Sequence, residues 1–103
     1  MRLAIVGYGA IGQFLLRKLR ADPAIEIVSI FALPHPVDES APSAGSLDDM
    51  LSMEPDIVVE CAGHGALRQS GERVLRAGID LLVASVGALA DKELEAILPN
   101  FAF

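Results

Sequence analysis

Three glycines near the start of the chain have the spacing of a dinucleotide-binding turn. Residues 7–12 read G-Y-G-A-I-G and directly follow the short apolar segment 2–6. At this spacing Gly7 permits a tight turn from strand to helix, Gly9 lets a pyrophosphate approach the backbone, and Gly12 lets the helix pack closely on the strand. The negative charge of a ligand would meet free N–H groups at the helix N-terminus. We interpret the segment as a nucleotide-binding turn, the alternative being a purely structural glycine turn.

The other residues capable of chemistry form no comparable pattern. Cys61 ends an apolar segment, where a small buried thiol is the common explanation, and no nearby cationic cluster indicates a reactive thiolate. His64 lies between two glycines and either contacts a substrate or nicotinamide or is a solvated loop residue. His35 lies among prolines and is predicted to be inert. Two histidines and one cysteine at these separations do not match a zinc site, so we predict no metal.

Alternating strands and helices must position the glycine turn. Apolar residues recur at helical spacing after the turn, and β-branched segments bounded by proline and glycine follow. The predicted strands are residues 2–6, 25–31, 56–61 and 80–85. The first two predicted helices are residues 10–21, with Ile11, Leu15 and Leu19 on the inner face, and residues 46–53. The third has Leu67, Gly71, Val74 and Leu75 on its inner face and stops at Gly78. The last predicted helix runs from Asp91 to before Pro99. This order predicts an α/β fold, a Rossmann-like parallel sheet of about four strands with helices on both faces.

The loops after the predicted strands are the candidate site, because the ligand of such a sheet lies outside the carboxyl ends of the strands. Ala62 and Gly63 follow the third strand and residues 86–88 follow the fourth. Such small residues let a flat cofactor lie against the backbone, or they make tight turns and nothing more. The second strand ends in F-A-L-P-H, residues 31–35, and lacks the acid that commonly binds the adenosine ribose. No arginine is there to attract a 2′-phosphate, so the choice between NAD and NADP stays open.

Composition argues against several classes of partner. The 103 residues suffice for one domain, and 52% of them are hydrophobic while 21% are charged, as in a globular protein. Fourteen acidic residues against eight basic ones give a net charge of -6, which disfavours nucleic acids and anionic membranes. The single cysteine fits a reducing compartment, and no apolar run reaches the roughly 18 residues of a membrane helix. We therefore expect a cytoplasmic protein.

Three segments, in this order and spacing, resemble the N-terminal part of L-aspartate dehydrogenase. They are residues 7–12, residues 59–64 (V-E-C-A-G-H) and residues 83–89 (V-A-S-V-G-A-L). The second and third are far more specific than the glycine turn, and the resemblance covers most of the chain. It implies oxidation of L-aspartate to iminoaspartate with NAD or NADP, a reaction that feeds NAD biosynthesis in some organisms.

The resemblance also implies a set of cofactor-binding residues. The pyrophosphate loop would consist of Gly7, Gly9, Ala10, Ile11 and Gly12. The path from the adenosine to the nicotinamide would be bordered by Ala62, Gly63 and His64, and the nicotinamide ribose by Ser85, Val86 and Gly87. No catalytic residue is assigned, because neither histidine of this chain lies at the place of the family's catalytic histidine.

Members of this family continue into further strands and a second domain, which supplies the catalytic histidine and much of the substrate pocket. We therefore expect residues 1–103 to form an incomplete dinucleotide-binding domain that lacks the catalytic domain. By itself it should bind cofactor but not catalyse, and L-aspartate would bind only to the complete enzyme. Unless Phe101 and Phe103 cover it, the fourth strand at residues 81–84 would be an exposed apolar edge, which predicts self-association into a homo-oligomer.

Two other functions stay open at this point. One is a stand-alone nucleotide-binding or interaction module that has kept the fold and lost the chemistry. The other is a different oxidoreductase of similar architecture, resembling homoserine dehydrogenase or dihydrodipicolinate reductase. A reading frame that continues into a histidine-bearing domain would argue against the module, and a substrate screen on the complete protein would separate the enzymes.

Overall fold

The computed structural model describes residues 1–32 and 42–84, except for the side chains of residues 64–69. Within these ranges four strands alternate with three helices. The strands are β1 (Arg2–Val6), β2 (Glu26–Phe31), β3 (Ile57–Glu60) and β4 (Asp80–Val83), and the helices are α1 (Ala10–Leu19), α2 (Leu47–Ser52) and α3 (His64–Arg76). The predicted α/β fold with a four-stranded, Rossmann-like parallel sheet is confirmed.

The sheet has the strand order β2-β1-β3-β4, and every neighbouring pair is parallel. At its carboxyl edge Val6 of β1 pairs with Phe31 on one side and with Glu60 on the other, and Glu60 pairs with Val83. The four strands therefore end level with one another. The loops that leave them emerge at one edge of the sheet, where the sequence placed the candidate site.

Both faces of the sheet are covered by helices, because alternate strand side chains pack into two separate cores. On one face, Leu16 of α1 packs with Leu3, Ile5, Ile30 and Val59. On the other face, α2 and α3 contribute Leu47, Met50 and Val74 to a core with Ala4, Val6, Val58 and Val83. Burial on both faces explains why the strands are almost continuously apolar.

Helix α1 differs from its prediction at its end and at one residue of its inner face, whereas Leu15 and Leu19 pack against the core as predicted. It ends at Leu19 rather than at residue 21, and Ile11, expected to face inward, is 50% exposed. The buried residues of α1 are Gly12 and Leu16, one turn apart. Gly12 brings the helix axis close to the sheet, and Ile11 lies about 100° away around the helix and is exposed.

One further difference concerns a loop. Residues 42–44 run along the outer edge of β2, where the Ile30 N–H donates to the Pro42 carbonyl at 2.7 Å and the Ala44 N–H donates to the Ile30 carbonyl at 2.8 Å. This short pairing was not predicted, because the sequence there is too rich in proline and serine to indicate a strand. The predicted last helix after Asp91 and the two C-terminal phenylalanines lie outside the described residues.

Candidate functional site

The candidate site lies where the chain changes direction across the sheet. From the central strand β1 the chain crosses to β2 on one side, and it later returns to β3 on the other side. Right-handed crossovers place α1 and α3 on opposite faces, and in sheets of this topology the loops after the two strands diverge to form a crevice. Ligands of open α/β sheets bind in such a crevice.

Gly7 fixes the glycine turn against both neighbouring strands. Its N–H donates to the Phe31 carbonyl at 2.8 Å, which ties the turn to the end of β2. Its φ is +105°, and a Cβ atom there would lie 2.7 Å from the Cβ of Ala62. Both the backbone conformation and the contact with the loop after β3 therefore require glycine.

Gly12 and Gly9 serve different purposes in the same turn. A Cβ atom on Gly12 would lie 2.6 Å from the carbonyl oxygen of Gly7, so Gly12 allows the close packing of α1 on the turn. Gly9 has no neighbouring atom within 4 Å of the place of a Cβ and caps α1 without a side-chain hydrogen bond. Open space beside Gly9 is what the approach of a pyrophosphate requires.

Helix α1 is suited to hold an anion at its N-terminus. Its first turn contains Ala10, Ile11 and Gly12 and no acidic residue, and the first helical hydrogen bond runs from the Gln13 N–H to the Gly9 carbonyl at 3.0 Å. The N–H groups of the first turn therefore lack acceptors within the helix. Together with the positive end of the helix dipole, they favour a negatively charged group beside Gly9.

The loop between β3 and α3, formed by Cys61, Ala62 and Gly63, borders the other side of the crevice. Gly63 caps α3 with a φ of +107°, and no atom lies within 4 Å of the place of its Cβ. The carboxylate of Glu60 lies beneath this loop, where its Oε1 accepts the N–H groups of Ala62 at 2.7 Å and Gly63 at 2.8 Å. Sequence analysis did not select Glu60, although an acid at the end of an apolar strand was a usable signal.

Cys61 lies on the α1 side of the sheet, under the glycine turn. Its thiol donates to the Val6 carbonyl at 3.3 Å, and a Cβ on Gly12 would lie 3.3 Å from its sulfur. Burial, and secondarily the negative charge of Glu60, raises the pKa of the Cys61 thiol to about 11. The group is therefore a protonated thiol near neutral pH, and this agrees with the interpretation of Cys61 as a packing residue.

The structure thus brings the first two predicted segments together across the crevice. Gly7, Gly9, Ala10, Ile11 and Gly12 form one side, and Ala62 and Gly63 form the other. His64 is the first residue of α3, so it is helical rather than part of a loop; its side chain is outside the description. His35, Ser85, Val86 and Gly87 lie outside the described residues.

The described residues, 1–32 and 42–84, contain neither a metal-binding cluster nor a membrane-spanning helix. Among these residues, no three His, Cys, Asp or Glu side chains are grouped so that they could hold a metal ion. No helix within residues 1–32 and 42–84 is both long enough and apolar enough to cross a membrane.

Comparison with known proteins relates the chain to dehydrogenases. The model of the family described as "Homoserine dehydrogenase, NAD binding domain" matches residues 7–102. The chain is 41% identical over 100 residues to L-aspartate dehydrogenase 1 of Bordetella pertussis, covering 95% of this chain and 39% of that protein. It is 38% identical over 93 residues to L-aspartate dehydrogenase of Archaeoglobus fulgidus, covering 90% of this chain and 38% of that protein. These matches confirm the predicted resemblance, and the chain spans about two fifths of the length of these relatives.

Solved structures agree on the fold. An engineered D-amino acid dehydrogenase bound to NADP+ superposes with a TM-score of 0.74 at 19% identity, covering 95% of this chain and 31% of that one. At this identity the likeness concerns the fold alone.

Proposed function

Because the chain belongs to the family of homoserine dehydrogenase NAD-binding domains, we propose that it is the dinucleotide-binding part of an L-aspartate dehydrogenase. The cofactor is NAD or NADP, and the reaction oxidises L-aspartate to iminoaspartate. The bound nicotinamide supplies the acceptor for the hydride that leaves the substrate. The residues described here bind and orient the cofactor, and the substrate pocket and catalytic histidine belong to a second domain outside these 103 residues.

The open space beside Gly9, at the start of a helix without an acidic first turn, is the observation that carries this proposal. A pyrophosphate beside Gly9 would accept hydrogen bonds from the N–H groups of α1 without a clash with a side chain at position 9. The proposed pyrophosphate-binding residues are Gly7, Gly9, Ala10, Ile11 and Gly12. The proposed contacts farther along the cofactor are Ala62, Gly63, His64, Ser85, Val86 and Gly87.

The relatives support the substrate more specifically than the family model does. The family description names homoserine dehydrogenase, but the relatives that share 38–41% identity are L-aspartate dehydrogenases. We therefore place homoserine oxidation second. A screen of L-aspartate against L-homoserine with the longer protein separates the two, since only one amino acid should drive the reduction of NAD or NADP.

Several further properties belong to the same proposal. The longer enzyme forms a homo-oligomer, works in the cytoplasm and contributes to NAD biosynthesis. These expectations come from the likeness to L-aspartate dehydrogenases and from the acidic composition with a single cysteine.

A fluorescence titration of the chain with NADH and with NADPH tests the proposal, using Gly9→Val as the diagnostic variant. The valine fills the open space beside the turn, so we expect affinity to fall by tenfold or more, a loss of about 1.4 kcal/mol or greater. Gly45→Ala, on an exposed residue before α2, is the matched control and should bind like the unaltered chain. Circular dichroism must show that both variants are folded.

Each outcome of this titration has a direct meaning. Saturable binding that Gly9→Val weakens supports the pyrophosphate turn, and the tighter of the two cofactors gives the preference. Folded protein that binds neither cofactor, or that binds equally well with valine at position 9, contradicts the proposal.

A further inference from the structure

Glu60 is a buried acid at the edge of the proposed cofactor crevice. It is the last residue of β3 and is fully buried, with 0% of its surface exposed. Its partners in register on the two neighbouring strands are Val6 and Val83, both buried and apolar. Side chains in register on parallel strands share a face, so the Glu60 carboxylate emerges from a row that is otherwise apolar.

The hydrogen bonds of this carboxylate point into the loop above it. Oε1 accepts the N–H groups of Ala62 and Gly63, the two residues that lead from β3 into α3. Burying a carboxylate has a large desolvation cost, and an apolar residue would fill the same place in the core without it. An apolar residue could not accept hydrogen bonds from these two N–H groups.

The two hydrogen bonds to Glu60 fix the backbone of the loop that borders this side of the crevice. Ala62 touches Gly7 of the glycine turn, and Gly63 adopts a φ of +107° with open space beside its Cα. With both N–H groups turned inward to Glu60, this side of the crevice presents a surface without those two donors. The N–H groups at the start of α1, on the opposite side, stay available to an anion.

We propose that Glu60 is a positioning residue for the nicotinamide half of the dinucleotide. It acts through the backbone of Ala62 and Gly63 and does not itself touch the cofactor. In a doubly wound sheet the adenosine ribose lies toward the end of β2, so the other half of the molecule crosses the crevice toward β3. This inference rests on the proposed cofactor binding and adds to it a residue that controls one half of the ligand.

Comparing the affinity for NADH with that for ADP separates the contributions of the two halves of the dinucleotide. ADP carries the adenosine and pyrophosphate and lacks the nicotinamide, so it reports on the glycine turn alone. For Glu60→Ala we expect the Kd for NADH to rise about tenfold, as for the loss of hydrogen bonds to a charged acceptor, while the Kd for ADP changes less than about twofold. Glu60→Gln retains an oxygen that can accept both N–H groups, so it should keep NADH affinity within about threefold of the unaltered chain. Glu26→Ala, at an exposed acid on the opposite edge of the sheet, is the matched control.

A second measurement uses the unaltered chain and does not depend on the folding of a variant. In that chain, NMR hydrogen exchange should show the Ala62 and Gly63 amides to be protected. Rapid exchange of these amides in the folded, unaltered chain would overturn the proposal.

The affinities of the Glu60 variants also decide whether Glu60 has the proposed positioning role. An equal loss of NADH and ADP affinity in Glu60→Ala would indicate a merely structural role, and unchanged affinity for both would indicate no role; either overturns the inference and leaves the proposed function intact. Glu60→Gln as weak as Glu60→Ala would assign the effect to the charge and overturn the positioning role. If the folded, unaltered chain binds neither ligand, the proposed function fails, and this inference fails with it.

Discussion

At the scale of single residues, the three glycines of the turn are not equivalent. Gly7 is required by backbone conformation and by its contact with Ala62, Gly12 by the approach of α1, and Gly9 by neither. The G-x-G-x-x-G spacing predicts a different role for each glycine, and the structure supplies the contacts that make glycine necessary at positions 7 and 12. Substitutions at Gly7 and Gly12 should therefore affect stability, and substitutions at Gly9 should affect ligand binding.

The Gly7→Ala variant tests this division. A Cβ in the left-handed region is strained, and it would lie 2.7 Å from the Ala62 Cβ and 2.9 Å from its backbone. Strain and overpacking together should lower the free energy of unfolding by about 2–4 kcal/mol. Urea unfolding measures it, with Gly9→Ala as the matched control, which should cost less than about 1 kcal/mol. Equal losses in the two variants would contradict the division.

At the scale of elements, α2 shows a helix whose start is specified locally. Ser46 caps it, with its Oγ accepting the Asp49 N–H at 3.1 Å, and Asp48 and Asp49 lie in the first turn near the positive end of the helix dipole. The helix has only six residues, too few to be stable alone, so its packing through Leu47 and Met50 must supply the rest. The capping pattern S-L-D-D predicts the start of this helix from the sequence, and the structure confirms it.

Replacing the cap should destabilise the domain measurably. Ser46→Ala removes the acceptor for the Asp49 N–H, so the free energy of unfolding should fall by about 1 kcal/mol. Ser52→Ala is the control, because Ser52 donates to the Asp49 carbonyl at the exposed end of the same helix. Thermal unfolding followed by circular dichroism compares the stability of the two variants. A loss of stability in Ser52→Ala as large as that in Ser46→Ala would refute the capping role.

At the scale of the whole molecule, β4 is the strand whose outer edge matters most for association. Within the described ranges it pairs with β3 alone, whereas the outer edge of β2 is paired in part with residues 42–44. Leu81 and Val83 of β4 are buried, and Leu82 is half-buried. An apolar strand edge of this kind is a template for pairing with a second chain.

We therefore expect the 103-residue chain to self-associate. Its average mass by light scattering should rise with concentration up to the high micromolar range. Leu82→Lys places a charge on the edge strand and should reduce this rise, because a charged side chain there opposes edge-to-edge pairing. A strictly monomeric chain at the highest concentration would rule the expectation out.

The sequence by itself determined the features that depend on neighbours in the chain. The glycine turn, the four strands, the cap at Ser46 and the stop at Gly78, where φ is +78°, are encoded in local residue types and spacing. Only the tertiary structure decided which of these features meet. It placed Gly7 against Ala62, turned Ile11 outward, and buried Glu60 beneath the loop after β3. The reason is physical: the contact between Gly7 and Ala62, which are 55 positions apart, and the burial or exposure of Glu60 and Ile11 depend on strand order, register and helix packing, which no local pattern specifies.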